Sequence, residues 1–226
     1  MATYLVTGAT RGIGRAVAHQ LREHNLVLVG RDRETLDELW HTYPGARTLV
    51  VDLADASSIE QQVDRGDLPE RLDGVVHCAG VLVRGRLEEL SVDSWHRQLV
   101  MNVVAVAELT RVLLPALRAA GGTVVLVNSG AGLSVSGDRG VAYAASKFAL
   151  RALADGLRNE EPGLRVTSIY PGRVATDMQR ELRDDEGAEY TAEDYLRPES
   201  VAALIVHALQ APADAVVKDL TAMPTP

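Results

Sequence analysis

The sequence predicts a single α/β domain, residues 1–226, with a doubly wound, mostly parallel, seven-stranded sheet and helices on both faces. Short apolar runs alternate with segments of helical spacing along the whole chain, an order that gives parallel strands and right-handed crossovers. Residues 122–127 are apolar almost throughout, as expected of a strand buried on both faces. A length of 226 residues with 46% hydrophobic content is sufficient for one large core.

Composition excludes several classes of protein. The net charge is −8 and no basic run is present, which argues against a nucleic-acid surface. The single cysteine, Cys78, excludes an internal disulfide and a cysteine-cluster metal site and favours a reducing compartment. We therefore expect a cytoplasmic protein with no metal. We also expect no membrane partner, because no apolar run approaches the length of about 20 residues that spans a bilayer.

The first strand leads into a glycine-rich turn. The apolar residues 4–6 are followed by Thr-Gly-Ala-Thr-Arg-Gly-Ile-Gly, and helical spacing then begins. A strand, a glycine turn and a helix place a helix N-terminus against a phosphate, although an ordinary βα turn has the same elements. The candidate phosphate-binding residues are Gly8, Thr10, Arg11, Gly12, Ile13 and Gly14.

The second strand, residues 26–30, is followed by Arg31. At this position of a dinucleotide site an acidic residue suits the ribose of NAD, whereas an arginine suits a 2′-phosphate. Arg11 supplies a second cation. Asp32 is better placed to cap the next helix than to bind a ribose. The pattern favours NADP(H) over NAD(H).

Two further strand ends are candidate adenosine contacts. The third strand, residues 48–51, ends at Asp52 and Leu53; the carboxylate could accept from an adenine amino group or cap the helix that starts nearby. The fourth, residues 72–77, ends at Cys78, Ala79 and Gly80, which are small enough for an adenosine to lie against the backbone.

Polar residues in the middle of the chain suggest catalysis. Asn102 interrupts an apolar helical stripe, where a buried asparagine needs hydrogen-bond partners and can divert helix hydrogen bonding. A satisfied core asparagine is the alternative. Ser129 follows the fifth strand, residues 122–127, and lies at the carboxyl edge of the sheet.

Tyr143 and Lys147 lie four residues apart in a helical segment and therefore share one face. A phenol has an ordinary pKa of about 10, and a nearby cation can lower it by roughly 1–3 units. The pair is a plausible acid/base device, although such a spacing alone is weak evidence.

The last part of the chain begins with a sixth strand, residues 165–170, which ends at Pro171 and Gly172. Residues 176–195 hold eight acidic residues against two arginines and show poor periodicity. They could disfavour anionic substrates or simply form a solvated loop. A capped helix is expected at residues 198–209, and a last strand at 215–220.

Together these motifs resemble the short-chain dehydrogenase/reductase family, in its single-domain branch with a Rossmann-type fold. Residues 7–14 match the family's T-G-x-x-x-G-x-G, and Tyr143 and Lys147 match its Y-x-x-x-K. Ser129 and Asn102 lie at the positions of the catalytic serine and the helical asparagine. Residues 171–176, Pro-Gly-Arg-Val-Ala-Thr, look like the segment that holds the nicotinamide carboxamide.

The resemblance implies an oxidoreductase that interconverts a ketone or aldehyde and an alcohol. Tyr143 would be the general acid/base, and Lys147 would lower its pKa and hold the nicotinamide ribose. Ser129 would bind the substrate oxygen, and Asn102 would position a water next to Lys147. The carboxamide would meet Pro171, Gly172, the Val174 backbone and the Thr176 hydroxyl. Residues 176–197 would form a substrate lid, and the family commonly assembles as homodimers or homotetramers.

The chain departs from the family pattern in two places. Cys78 stands where Asn is usual, and we expect weaker support of that strand end rather than lost catalysis. The interval from Ser129 to Tyr143 is one residue longer than is commonest, and we expect the loop at residues 134–140 to absorb it. A cofactor-binding protein without turnover, or an epimerase or dehydratase with the same Tyr/Lys pair, remain alternatives. The sequence does not identify the substrate.

Overall fold

The computed structural model describes residues 1–135 and 139–225. Its strands form one sheet in the order β3-β2-β1-β4-β5-β6-β7, and each neighbouring pair is parallel. The predicted α/β class is therefore confirmed. The strands are β1 Thr3–Thr7, β2 Asn25–Gly30, β3 Arg47–Val50, β4 Gly74–His77, β5 Thr123–Val127, β6 Arg165–Pro171 and β7 Asp219–Ala222.

Helices connect successive strands. Parallel neighbours in one sheet need such crossover connections. A π-helical turn, Val100–Val104, joins the fourth and fifth helices into one continuous rod. The helices are α1 Gly12–Gln20, α2 Arg33–Thr42, α3 Ile59–Asp64, α4 Val92–Leu99, α5 Ala105–Ala120, α6 Val141–Glu160, α7 Asp177–Asp185 and α8 Pro198–Leu209.

The core divides into two layers, one on each face of the sheet. Tyr4 and Val6 of β1 pack with α1, α2 and α8, whereas Leu5 points to the other face and packs with α3, α5 and α6. Successive strand residues alternate between faces, and both faces are apolar. The three-layer arrangement therefore follows from strands that are hydrophobic on both sides.

The helical run Val92–Ala120 is long and apolar enough, by length and composition alone, to cross a membrane. In the fold it serves as a core element, because Leu109, Leu113 and Leu117 are fully buried against the sheet. Its hydrophobicity is explained by that packing.

The last strand is shifted from its predicted position, residues 215–220. The chain turns at Pro212, whose carbonyl accepts from Ala215, and β7 begins only at Asp219. The Val217 carbonyl accepts from the Thr167 hydroxyl at 2.6 Å instead of joining the ladder. Side-chain hydrogen bonds of this kind are not visible in a hydrophobic pattern.

The acidic segment at residues 176–195 contains α7, which its poor periodicity did not indicate. Thr176 is the N-cap, and its hydroxyl accepts from the Gln179 amide at 3.4 Å. Thr-x-x-Gln is the spacing of a capping box, so the sequence did carry a signal for this helix. Part of the loop at residues 134–140 lies outside the described residues, so the expectation for its extra residue stays a prediction.

Candidate active site

The glycine turn after β1 has the geometry that close approach of a phosphate requires. Gly8 and Gly12 adopt left-handed φ angles of 66° and 54°, which residues with a Cβ rarely adopt. A Cβ on Gly14 would lie 2.3 Å from the Gly8 carbonyl oxygen. Gly14 is thus needed to let the first turn of α1 close on the loop, and the N-terminus of α1 is left open toward a ligand.

The ends of β1 and β4 are tied together by Thr7. Its buried hydroxyl accepts from the backbone N–H groups of Cys78 and Ala79, both at 3.1 Å. The strand end that lacks the family's asparagine is therefore supported from β1, a contact that the sequence did not reveal. Burial raises the pKa of the Cys78 thiol to about 12, so this cysteine is not a nucleophile at neutral pH.

The adenosine side of the predicted site lies at the ends of β2 and β3. A Cβ on Gly30 would lie 3.7 Å from the Thr10 methyl group, which places Thr10 beside the segment that carries Arg31. Arg31 is exposed. After the hydrogen bonds from Thr35, its charge also contributes to the lowered pKa of the neighbouring Asp32 carboxyl. Asp32 caps α2 through the Thr35 amide at 2.8 Å, as the sequence predicts.

The other two adenosine candidates have local roles as well. The Asp52 carboxylate accepts from the Ala54 amide at 3.0 Å, a local turn that caps no helix because the N-cap of the following helical turn is Asp55, and its side chain is exposed. Leu53 packs partly against the core layer that contains α3. Arg11 lies 3.9 Å from Asp177 and 4.0 Å from Glu181, so it joins the glycine turn to α7.

Asn102 lies inside the π-helical turn and is buried. Its Oδ1 accepts from the Val81 amide at 2.9 Å, and its Nδ2 donates to the Val81 carbonyl at 2.9 Å. Nδ2 also donates to the Ser146 hydroxyl at 3.0 Å, which donates to the Tyr143 carbonyl at 2.7 Å. The predicted diversion of helix hydrogen bonds is present, and the asparagine links the rod α4–α5 to the helix that carries Tyr143.

Asn128, which the sequence did not single out, fixes the position of Ser129. Its Oδ1 accepts from the Ser129 amide at 2.9 Å, and its Nδ2 donates to the Lys147 carbonyl at 3.2 Å. A Cβ on Gly132 would lie 2.4 Å from that Oδ1. The glycine therefore leaves room for an amide that joins the end of β5 to α6.

Tyr143 is partly exposed, and Ser129 is the neighbouring hydroxyl that favours its phenolate. Burial raises the pKa of Tyr143, and the effect of Ser129 opposes that rise without cancelling it. The expectation that Lys147 lowers this pKa is not met in the structure. The Lys147 amine lies 5.6 Å from the ring centroid and is directed elsewhere.

The Lys147 amine is buried and donates to the Val127 carbonyl at 3.0 Å. Burial lowers its pKa from 10.5 to about 8, because removing an ammonium from water disfavours the charged form. A Cβ on Gly80 would lie 4.0 Å from this nitrogen and 3.1 Å from Asn102 Oδ1. Gly80 thus leaves a gap between the lysine and the asparagine.

A cleft of about 760 Å³ opens at the carboxyl edge of the sheet. The structure brings ten of the singled-out residues to its wall. Ten others do not line it: Gly8, Thr10, Arg11, Gly12, Gly14, Arg31, Asp52, Leu53, Ala79 and Asn102. The ten that line it are Ile13, Cys78, Gly80, Ser129, Tyr143, Lys147, Pro171, Gly172, Val174 and Thr176.

A network of charges closes one side of the cleft. Glu186, just after α7, accepts from Arg173 at 2.9 Å and from Arg183 at 2.8 Å, and Arg84 lies 3.6 Å away. Arg84 also donates to Asp185 at 3.0 Å. Burial would raise the pKa of Glu186, but the arginine hydrogen bonds bring it below its usual value.

The acidic excess at residues 176–195 faces mostly away from the cleft. Of its eight acidic residues, Glu186 and Asp194 line the described wall, together with Arg84, Lys147 and Arg173. The structure therefore does not support the interpretation that this segment repels anionic substrates.

The model of the family described as short chain dehydrogenase matches residues 2–187. The chain belongs to the short-chain dehydrogenase family. The resemblance drawn from the sequence is thereby confirmed, and this short-chain dehydrogenase is an oxidoreductase that acts on CH–OH and C=O groups.

Relatives and solved structures agree with this assignment. An uncharacterised short-chain type dehydrogenase/reductase of Sinorhizobium fredii is 36% identical, over 98% of this chain and 90% of that protein. An alcohol dehydrogenase from the archaeon Thermococcus sibiricus, complexed with 5-hydroxy-NADP, has a TM-score of 0.86 at 28% identity, covering 98% of this chain and 96% of that chain. The closed form of a serine dehydrogenase complexed with NADP⁺ has a TM-score of 0.88 at 26% identity, covering 97% and 94%.

The buried amine makes stability depend on pH in a defined way. Between the folded pKa of about 8 and the unfolded value of 10.5, the unfolded chain binds a proton that the folded chain has lost, so stability rises with pH. Relative to Lys147→Met, the wild-type free energy of unfolding should rise by about 1.5 kcal/mol between pH 8 and pH 9.5. Urea denaturation at both pH values measures this difference, and parallel curves for the two proteins would contradict it.

Proposed function

We propose that this short-chain dehydrogenase uses NADP(H) to interconvert a ketone or aldehyde and the corresponding alcohol, with Tyr143 as general acid/base. The observation that carries the proposal is the cluster at the cleft wall. Ser129, Tyr143 and Lys147 all line the cleft; the Ser129 hydroxyl favours the Tyr143 phenolate, and the Lys147 amine lies 5.6 Å from the centroid of the same ring. A proton donor, a second hydroxyl and a cation thus converge where a carbonyl oxygen can bind.

Tyr143 is suited to give a proton during reduction. Because burial keeps its pKa above the ordinary phenol value, the phenol is protonated at neutral pH and can donate to a developing alkoxide. In the reverse direction the phenolate must form, and a nearby ammonium stabilises it. The Lys147 amine needs only to leave the Val127 carbonyl to act on Tyr143.

Ser129 and Asn102 support the reacting groups. The Ser129 oxygen accepts from the Ala131 amide at 3.2 Å. Its one hydrogen can therefore turn from the Tyr143 phenol to a bound substrate oxygen and stabilise negative charge there. Asn102 Oδ1 and the Lys147 amine flank the gap left by Gly80. A water held in that gap would pass a proton to Lys147.

The residues at the cleft fit a nicotinamide dinucleotide. The glycine turn gives the close approach that a diphosphate needs, because a Cβ at Gly8, Gly12 or Gly14 would be strained or blocked. Once bound, the cofactor supplies or accepts the hydride. The residues proposed to hold it are Gly8, Thr10, Arg11, Gly12, Ile13, Gly14, Arg31, Asp52, Leu53, Ala79, Gly80, Tyr143, Lys147, Pro171, Gly172, Val174 and Thr176.

The preference for NADP(H) rests on Arg31. Its guanidinium is exposed, and although its charge is felt by Asp32, the Asp32 carboxylate makes its hydrogen bonds to Thr35 in capping α2. An exposed cation at the ribose end favours a 2′-phosphate.

Residues 176–197 form the proposed lid. Met178, Leu182 and Tyr195 line the cleft, and Glu186 fastens the segment to Arg84 and Arg173 from two other loops. We further propose a homodimer or homotetramer through the rod α4–α5 and through α6, where Val104 of the π-helical turn is 47% exposed and Phe148 of α6 is 40% exposed. A cytoplasmic location is proposed from the single free cysteine.

A panel of aldehydes and ketones mixed with NADPH tests the proposed function. We expect loss of NADPH absorbance with at least one carbonyl compound and formation of the matching alcohol. NADPH binding without turnover on any member of a broad panel would indicate a binding protein that keeps the fold. Turnover that leaves NADPH unconsumed would indicate an epimerase or dehydratase.

Arg31→Ala tests the cofactor preference. Loss of a charge-assisted hydrogen bond to a 2′-phosphate should weaken NADPH binding by about ten- to hundredfold while NADH binding changes little. Fluorescence titration gives both dissociation constants, and Arg33→Ala, at the start of α2, is the matched control. Equal losses for NADPH and NADH, or none, would refute the assignment.

A further inference from the structure

Gln179, in the first turn of α7, has a buried amide that makes no hydrogen bond. The residue is only 4% exposed, and its Nε2 has no partner among the described residues. An amide group that is buried without a hydrogen-bond partner lowers the stability of the folded state. Of the five such side-chain atoms among the described residues, only this one belongs to a residue that lines the cleft, where a bound ligand can supply the missing partner.

The amide lies at the wall of the cleft. Gln179 is one of the residues that line it, and the amide nitrogen is the atom sealed within the protein. Rotation about the last side-chain bond exchanges nitrogen and oxygen. Because the nitrogen has no hydrogen bond to lose, this rotation can present an N–H donor to the cleft.

The N-terminus of α7 lies against that of α1. A Cβ on Gly12, the first residue of α1, would lie 3.2 Å from the Thr176 methyl group at the N-cap of α7. Each end carries a partial positive charge and free N–H groups. Two such ends are unfavourable neighbours unless an anion lies between them.

We propose that Gln179 donates its side-chain amide to an oxygen of the cofactor's diphosphate, so that α7 and α1 bind that anion from two sides. Side chains in a helix lean toward its N-terminus, so the Gln179 side chain leans toward the turn at Thr176, which lies against Gly12. This inference rests on the proposed function, since it concerns the same cofactor. It makes α7 part of the cofactor site as well as of the lid.

Gln179→Met separates a ligand contact from a structural role. The change removes an unpaired amide and keeps the side-chain volume, so the thermal midpoint of the protein without cofactor should be unchanged or higher. The dissociation constant for NADPH should rise about tenfold. Gln20→Met, at the other end of α1, makes the same chemical change outside the cleft and should leave the NADPH dissociation constant unchanged.

Two further measurements assign the contact. Gln179→Glu places a carboxylate of the same shape beside the diphosphate and should weaken NADPH binding more than Gln179→Met does. The dissociation constant for 2′-AMP, which lacks the diphosphate, should be the same in wild type and both variants.

An NADPH dissociation constant for Gln179→Met within twofold of wild type would overturn the inference. So would a lowered thermal midpoint with equal weakening for NADPH and 2′-AMP, which would indicate a structural role. A raised KM for a carbonyl substrate with NADPH binding intact would place the amide on the substrate and also overturn it. If wild type itself fails to bind NADPH, the proposed function fails first.

Discussion

The site depends on a lysine amine that is buried without a carboxylate partner among residues 1–135 and 139–225. Lys147 is 6% exposed, and its amine donates to the Val127 carbonyl. An isolated ammonium in this position is destabilising unless hydrogen-bond acceptors surround it. The same burial that lowers its pKa also strengthens its effect on any charge that develops nearby. The fold thus retains a positive charge, at a cost in stability, at the place where a phenolate or an alkoxide would need a positive charge to stabilise it.

The fold holds this charge in place through polar contacts between layers. Asn102 reaches α6 through Ser146, and Asn128 joins the end of β5 to the Lys147 carbonyl. Thr7 ties the ends of β1 and β4 together. Each of these residues lies at the carboxyl edge of the sheet or beside it, where a doubly wound sheet binds its ligands. The hydrogen bonds that hold the strands and helices together at this edge are therefore the same ones that position the site residues.

Much of the fold could be predicted because its signals are local. The bounds of β1 and α8 agree with the apolar runs in the sequence, and Asp32 and Ser91 cap helices through their own side chains. The site residues could be placed at one sheet edge because parallel strands bring their carboxyl ends together.

The remainder depended on contacts between distant segments. The sequence gives no indication that Asn128 would meet Lys147, that Arg84 would meet Glu186, or that the Gln179 amide would be buried unpaired. The sequence also did not predict that the pKa of Tyr143 is raised, because a Tyr-x-x-x-Lys spacing does not show that the amine is directed toward Val127. Helix α7 was missed although its capping residues were present, since its few apolar residues face a cleft rather than the core.

The most direct test of the account is single-turnover reduction by Tyr143→Phe. Phenylalanine keeps the ring but removes the proton donor, so the rate of NADPH oxidation within the ternary complex should fall by about 10²-fold or more. The NADPH dissociation constant should stay within a few-fold of wild type. A variant that reduces its substrate at the wild-type rate would contradict the proposal that Tyr143 gives the proton.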